Sequence, residues 1–102
     1  MNYRQINSEQ INHEAWIGDA VLSLYARLKI LREDGVLDGA KCIRLTSNHF
    51  LGARGEPSKV EAEIGRCFER HGLPGAFAWI EQHLVPLFER QEQNRARKRP
   101  RN

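Results

Sequence analysis

The chain has few residues that could staple it together or wire it to a metal. Its two cysteines, Cys42 and Cys67, exclude a disulfide framework and a four-cysteine zinc site. Both read as reduced, partly buried thiols in a cytosolic protein. The four histidines, His13, His49, His71 and His83, show no metal-ligand spacing and read as surface or cap residues. No apolar run approaches the length of a membrane span. The polar start MNYRQINSEQ holds no signal-peptide core. No stretch alternates at period two, so no sheet is expected, and no internal repeat is present. What remains is a chain of 102 residues with 40% apolar and 28% charged positions, which suits one soluble domain with a modest core.

The net charge of +3 is mild, but it is unevenly spread. The end, RQEQNRARKRPRN, carries six basic residues and one acidic residue, and the rest is close to neutral or slightly acidic. Attraction for phosphate is therefore concentrated at one end. We expect residues 1–94 to form the domain and 95–102 to be a basic, disordered tail. Within it, Arg95, Arg97, Lys98, Arg99 and Arg101 are candidate RNA-phosphate contacts.

The expected architecture is all-α. A first helix starts near Ser8 and runs to about Glu33, with Ile11, Ala15, Val21 or Leu22, Tyr25 and Leu28 on one face. Between Ala15 and Leu24 apolar residues cover nearly every side, as expected of a central helix. Gly35 suits a left-handed cap. Asp38 caps a second helix, GAKCIRLTSNHFLGA. Pro57 opens a third helix with the core stripe Val60, Ile64 and Phe68, and Gly72 closes it. Pro74 opens a fourth, in which Pro86 should force a kink or break and Trp79 should join the core.

The first helix contains an oddity, AWIGDAVL, with a glycine and an acid side by side in an apolar run. Glycine there weakens a helix by roughly 1 kcal/mol relative to alanine, and an unpaired buried carboxylate costs several kcal/mol more. EAEIG in the third helix repeats the pattern, with Glu61 and Gly65 four apart on one face. If the two helices pack closely through Gly18 and Gly65, Asp19 and Glu61 come together. Two such carboxylates repel unless a cation sits between them, and magnesium is the usual occupant of an all-oxygen site. On spacing alone, a packing glycine and a solvated acid would account for the same residues.

Three segments also bring a resemblance. EAWIGDAVLSLYARLKIL resembles the signature helix of ribonuclease III domains, and LTSNHFLGA resembles the short helix that follows it. VEAEIGRCFERHGLPGAFAWIEQHLVPLFE resembles the family's Glu-Ala helix, its Gly-containing turn and its last helix. The likeness runs in order over roughly residues 11–90.

It implies a ribonuclease III-like helical domain that dimerises through the first long helix. It also implies a metal-dependent endoribonuclease that cleaves double-stranded or structured RNA as a cytoplasmic homodimer. Asp19 and Glu61 would be catalytic and would bind Mg²⁺, or Mn²⁺, for attack of water on phosphorus. The family uses four carboxylates, at positions that match Ala15, Asp19, Ser58 and Glu61, so half the set is absent here. The smaller mini-ribonuclease III branch tends to carry a small residue and a hydroxyl residue at those two positions. That branch has no separate double-stranded-RNA-binding domain, and none is expected here. The loop ARGEPSK, however, is much shorter than that branch's basic linker.

Glu56 is the one neighbour placed to swing in as a further metal ligand. Glu14 is rotated about 100° from Ala15, and Glu63 should point elsewhere. Trp16 matches an aromatic position that packs on the partner subunit in the family, against an ordinary core role. Asn48 matches a position that braces the site. The competing reading is a catalytically inactive ribonuclease III-like module kept for RNA binding or dimerisation. A DNA-binding protein is disfavoured, since no turn-and-recognition-helix pattern stands out.

Overall fold

The computed structural model describes the backbone of residues 3–98 and the side chains of residues 9–98. The described chain is 88% helical, with no strand. The order is α1 (Tyr3–Asp34), α2 (Gly39–Thr46), α3 (Asn48–Leu51), α4 (Pro57–His83) and α5 (Val85–Lys98).

Helix α1 begins at Tyr3, ahead of the expected start at Ser8; neither Gly nor Pro interrupts residues 3–8. It ends as expected. Gly35 takes φ 73°, and its N–H donates to the Leu31 carbonyl at 3.1 Å. Asp38 then caps α2, its Oδ1 accepting from the Lys41 N–H at 3.0 Å.

The expected second helix is cut in two at Ser47. This residue is extended (φ −73°, ψ 153°), and its hydroxyl accepts from the Phe50 N–H at 3.1 Å. A serine side chain that satisfies the next turn competes with helix continuation, and here it wins. The division turns Leu45, Phe50 and Leu51 together into the core.

Pro57 opens α4, and Gly72 breaks its helical path with φ 70° and ψ −171°, two residues before Pro74. The Pro86 break is real: α4 stops at His83, and α5 restarts at Val85 with Pro86 second. The expected tail from residue 95 overlaps the end of α5, which continues through Lys98. Two effects extend it. Arg, Ala and Lys are good helix formers, and cations at a C-terminus complement the helix dipole. Earlier in α5, Arg44 grips Glu92 with Nε and Nη2 donating at 2.9 Å each. Arg99 and Arg101 lie outside the described residues.

The core joins Leu22, Tyr25 and Ala26 of α1 to Ile64, Ala76 and Ile80 of α4 and Phe88 of α5. Tyr25 meets Phe77, and Phe50 meets Phe88, edge to face at 5.2 and 5.7 Å. Val60 and Ile64 are buried as expected; Phe68 and Trp79 only partly cover the core. Lys29 is buried to the tip between Glu33 at 2.7 Å and Glu89 at 2.9 Å, which ties α1 to α5.

Helix α1 is not wrapped on all sides. Helices α4 and α2 pack against it, while Trp16, Leu24, Leu28 and Leu31 remain exposed. Leu28, expected to share the core face with Tyr25, is 45% exposed.

Candidate functional site

The site lies where α1 crosses α4, and two glycines make the crossing possible. A Cβ on Gly18 would stand 1.7 Å from the Glu61 carbonyl oxygen. One on Gly65 would stand 2.0 Å from the Glu14 carbonyl oxygen. Backbone meets backbone at both points, and any side chain would push the helices apart.

On one flank of this crossing Asp19 and Glu61 meet. Asp19 is exposed and Glu61 half-buried, so the pair is reachable from solvent. The Glu61 carboxyl is pushed up to about 7, first by burial, then by its hydrogen bond with Asp19 and by the negative charge of Asp19. An acid of this kind gives up its proton near neutral pH, where a divalent cation can replace it.

On the other flank lies a pairing that the sequence reading missed. Glu14 is only 4% exposed, and its Oε2 accepts from Arg66 Nε at 2.8 Å. Arg66 also donates to Glu63 at 3.1 Å, which holds Glu63 away from Glu61. The second Glu14 oxygen is buried without a hydrogen-bond partner. Glu14 therefore locks the two helices and does not replace the missing acid at Ala15. A signal for this lock was present: Glu14 lies one turn before Gly18, and Arg66 directly follows Gly65.

The remaining candidates are dispersed. Glu56 is exposed at the N-cap of α4, without a side-chain capping bond, and faces Lys59 at 3.5 Å. Among the described residues no group of three or more His, Cys, Asp or Glu side chains gathers as a metal site. Asp19 and Glu61 thus stand as a pair. Ala15 is half-buried, while Ser58 and Asn48 are exposed. His83 stacks on Trp79 at 4.7 Å, and His13, His49 and His71 are exposed. Arg95, Arg97 and Lys98 are exposed at the end of α5. Arg95 borders a polar cleft with Asp34, Lys41, Arg44 and Glu92.

Trp16 is 79% exposed, which removes the core reading for that residue. Beside the bare side of α1, an open groove of about 420 Å³ runs between α1 and α2, lined by Arg27, Ile30, Leu31, Cys42 and Ile43 among others. No helix among the described residues is long and apolar enough to cross a membrane. No known family model, curated protein or solved structure matches the chain.

Proposed function

We propose that the chain is a metal-dependent endoribonuclease that cuts double-stranded or structured RNA as a homodimer in the cytoplasm. The observation that carries this reading is the meeting of Asp19 and Glu61 at the glycine crossing. Nothing in the packing of two helices calls for two acids side by side, and once both are ionised their repulsion is a cost. Magnesium bound by one or two carboxylates, with water and phosphate oxygens completing its shell, fits a pair of this kind. Bound there, the metal would activate a water for attack on phosphorus and stabilise the leaving oxygen. The chain's own contribution is positional. The backbone contacts at Gly18 and Gly65 hold the two helices that carry the acids against each other, and the exposure of Asp19 lets a phosphate approach. Recognition of the duplex would rest on shape, since the grooves of A-form RNA offer little readable sequence.

Incubation of the purified protein with duplex RNA, with and without Mg²⁺ or Mn²⁺, tests the activity. Metal-dependent shortening of the RNA is expected. The absence of acids at Ala15 and Ser58 favours the second reading, an inactive RNA-binding or dimerisation module. Duplex binding without cleavage under any divalent cation would establish that alternative.

The bare apolar side of α1 supports the homodimer. Large apolar residues exposed in one stripe mark an interaction surface. Sedimentation should show a dimer, and Trp16→Ala should raise its dissociation constant at least about tenfold, since exposed aromatics of this kind are frequent anchors. A monomeric wild-type protein at high micromolar concentration would reject the dimer.

The basic end of α5 should add affinity without chemistry. Changing Arg95, Arg97 and Lys98 to Gln should weaken duplex binding and reduce the slope of log K against log salt by roughly 0.7–0.9 per lost phosphate contact. Titrations at several salt concentrations measure this, and an unchanged slope would remove α5 from the RNA surface.

A further inference from the structure

The exposed side of α1 has an internal order. At about 100° per residue, Trp16, Ala20, Leu24, Leu28 and Leu31 fall in one sector, centred opposite the buried Tyr25 and Leu22. The midpoint of that stripe lies between Ser23 and Leu24. A two-fold contact through the midpoint lets the stripe cover itself, because an isologous interface uses the same patch twice. In such an antiparallel pairing Trp16 meets the partner subunit's Leu31. Ala20, small and exposed, stands level with the partner subunit's Arg27.

Arg27 and Asp19 lie on the same lateral side of the stripe, at roughly 40° and 120° from its centre line. An antiparallel two-fold brings like sides together, so the partner subunit's Arg27 arrives one residue from Asp19. The charges agree with this placement. Arg27 is exposed and forms no ion pair among the described residues. No described Lys or Arg pairs with Asp19 or Glu61 either. Two acids lack a cation, and a lone cation in the apolar face lacks an acid.

We propose that the Asp19–Glu61 site is completed across the dimer by the partner subunit's Arg27, whose guanidinium holds a substrate phosphate beside the two carboxylates. A planar fork of donors suits a phosphate in two-point contact. The proposal rests on the nuclease reading and adds that a single copy is an incomplete site.

The test co-expresses two defective chains. Asp19→Asn and Arg27→Ala homodimers should each cut duplex RNA at least about a hundredfold more slowly than wild type. In mixed dimers, the chain that keeps Asp19 faces the chain that keeps Arg27, so one site per mixed dimer is whole. Random pairing then restores about a quarter of the wild-type rate. Absence of recovery, with the wild type active, overturns the proposal. A second readout needs no activity. In a Cys42→Ser, Cys67→Ser background, chains carrying Ala20→Cys and Arg27→Cys should form an interchain disulfide when mixed and oxidised. Failure to cross-link overturns the placement of Arg27. A wild type that cuts no duplex overturns the nuclease reading itself, and the cross-link then still decides whether Arg27 stands at the partner's site.

Discussion

Gly18→Ala should cost about 3 kcal/mol or more of stability, at or beyond the usual range for over-packing. The added Cβ would meet the Glu61 carbonyl oxygen at 1.7 Å. That atom is backbone in a packed helix, so it cannot rotate away as a side-chain end could. Alanine's better helix propensity, about 1 kcal/mol, offsets only part of the loss. For a domain whose total stability is of the order of 5–15 kcal/mol, much of the margin disappears. Gly65→Ala should behave alike, since its Cβ would stand 2.0 Å from the Glu14 carbonyl. Gly39→Ala is the control. It opens α2 with nothing within 4 Å of its Cβ position, so its effect should stay within about 0.5 kcal/mol. Denaturant unfolding of the three variants measures this, and equal stability across them would dismiss the crossing as a close contact. The same variant should also affect the site. If α1 lifts from α4, Asp19 separates from Glu61, and the Glu61 carboxyl should titrate closer to its ordinary range.

Asp19→Asn and Glu61→Gln should abolish cleavage while leaving the metal-free protein as stable as wild type or more so. Above about pH 7, where Glu61 has lost its proton, each removes one of two repelling charges and keeps the shape. The pH dependence follows from Glu61, which is raised from 4.5 to about 7 in the fold. The folded state therefore holds this proton more tightly than the unfolded chain. Its stabilising contribution is complete below about pH 4.5 and is lost as pH rises through about 7. Metal-free wild type should lose melting temperature across that window, and Glu61→Gln should lose less. Mg²⁺ should raise the melting temperature of wild type most above pH 7, where no proton competes for the pair, and should leave both variants unmoved. Were Asp19 instead a structural hydrogen-bonding acid, Asp19→Asn would destabilise the fold by roughly 1–3 kcal/mol, and Mg²⁺ would change nothing. Thermal melts over pH, with and without Mg²⁺, beside a duplex-RNA assay, separate the two outcomes.

Much of the helical layout was legible in the residues, because the signals that set it are local. Gly35 ends α1, Asp38 caps α2, Gly72 breaks the path of α4, and Pro86 separates α4 from α5. Each acts on backbone within a few positions of itself. The Gly18–Gly65 crossing was also readable, since small residues at helical spacing are how two backbones approach, and it brought Asp19 to Glu61. Tertiary structure decided what depends on distant partners. The Ser47 break is settled by whether Leu45, Phe50 and Leu51 can all reach one core. The hold of α2 on α5 comes from Arg44, 48 residues from its partner Glu92. Glu14 was set aside by its rotation from Ala15, but the fold buries it against Arg66, 52 residues away. The apolar surround of α1 suggested a wholly covered helix, but periodicity cannot say how many neighbours a short chain can supply. The helices that pack on α1, chiefly α4 and α2, leave Trp16, Leu24, Leu28 and Leu31 bare. Local propensity and capping act through backbone geometry that each segment carries with it. Burial, long-range ion pairs and the raised pKa of Glu61 arise only when remote segments exclude water from one another.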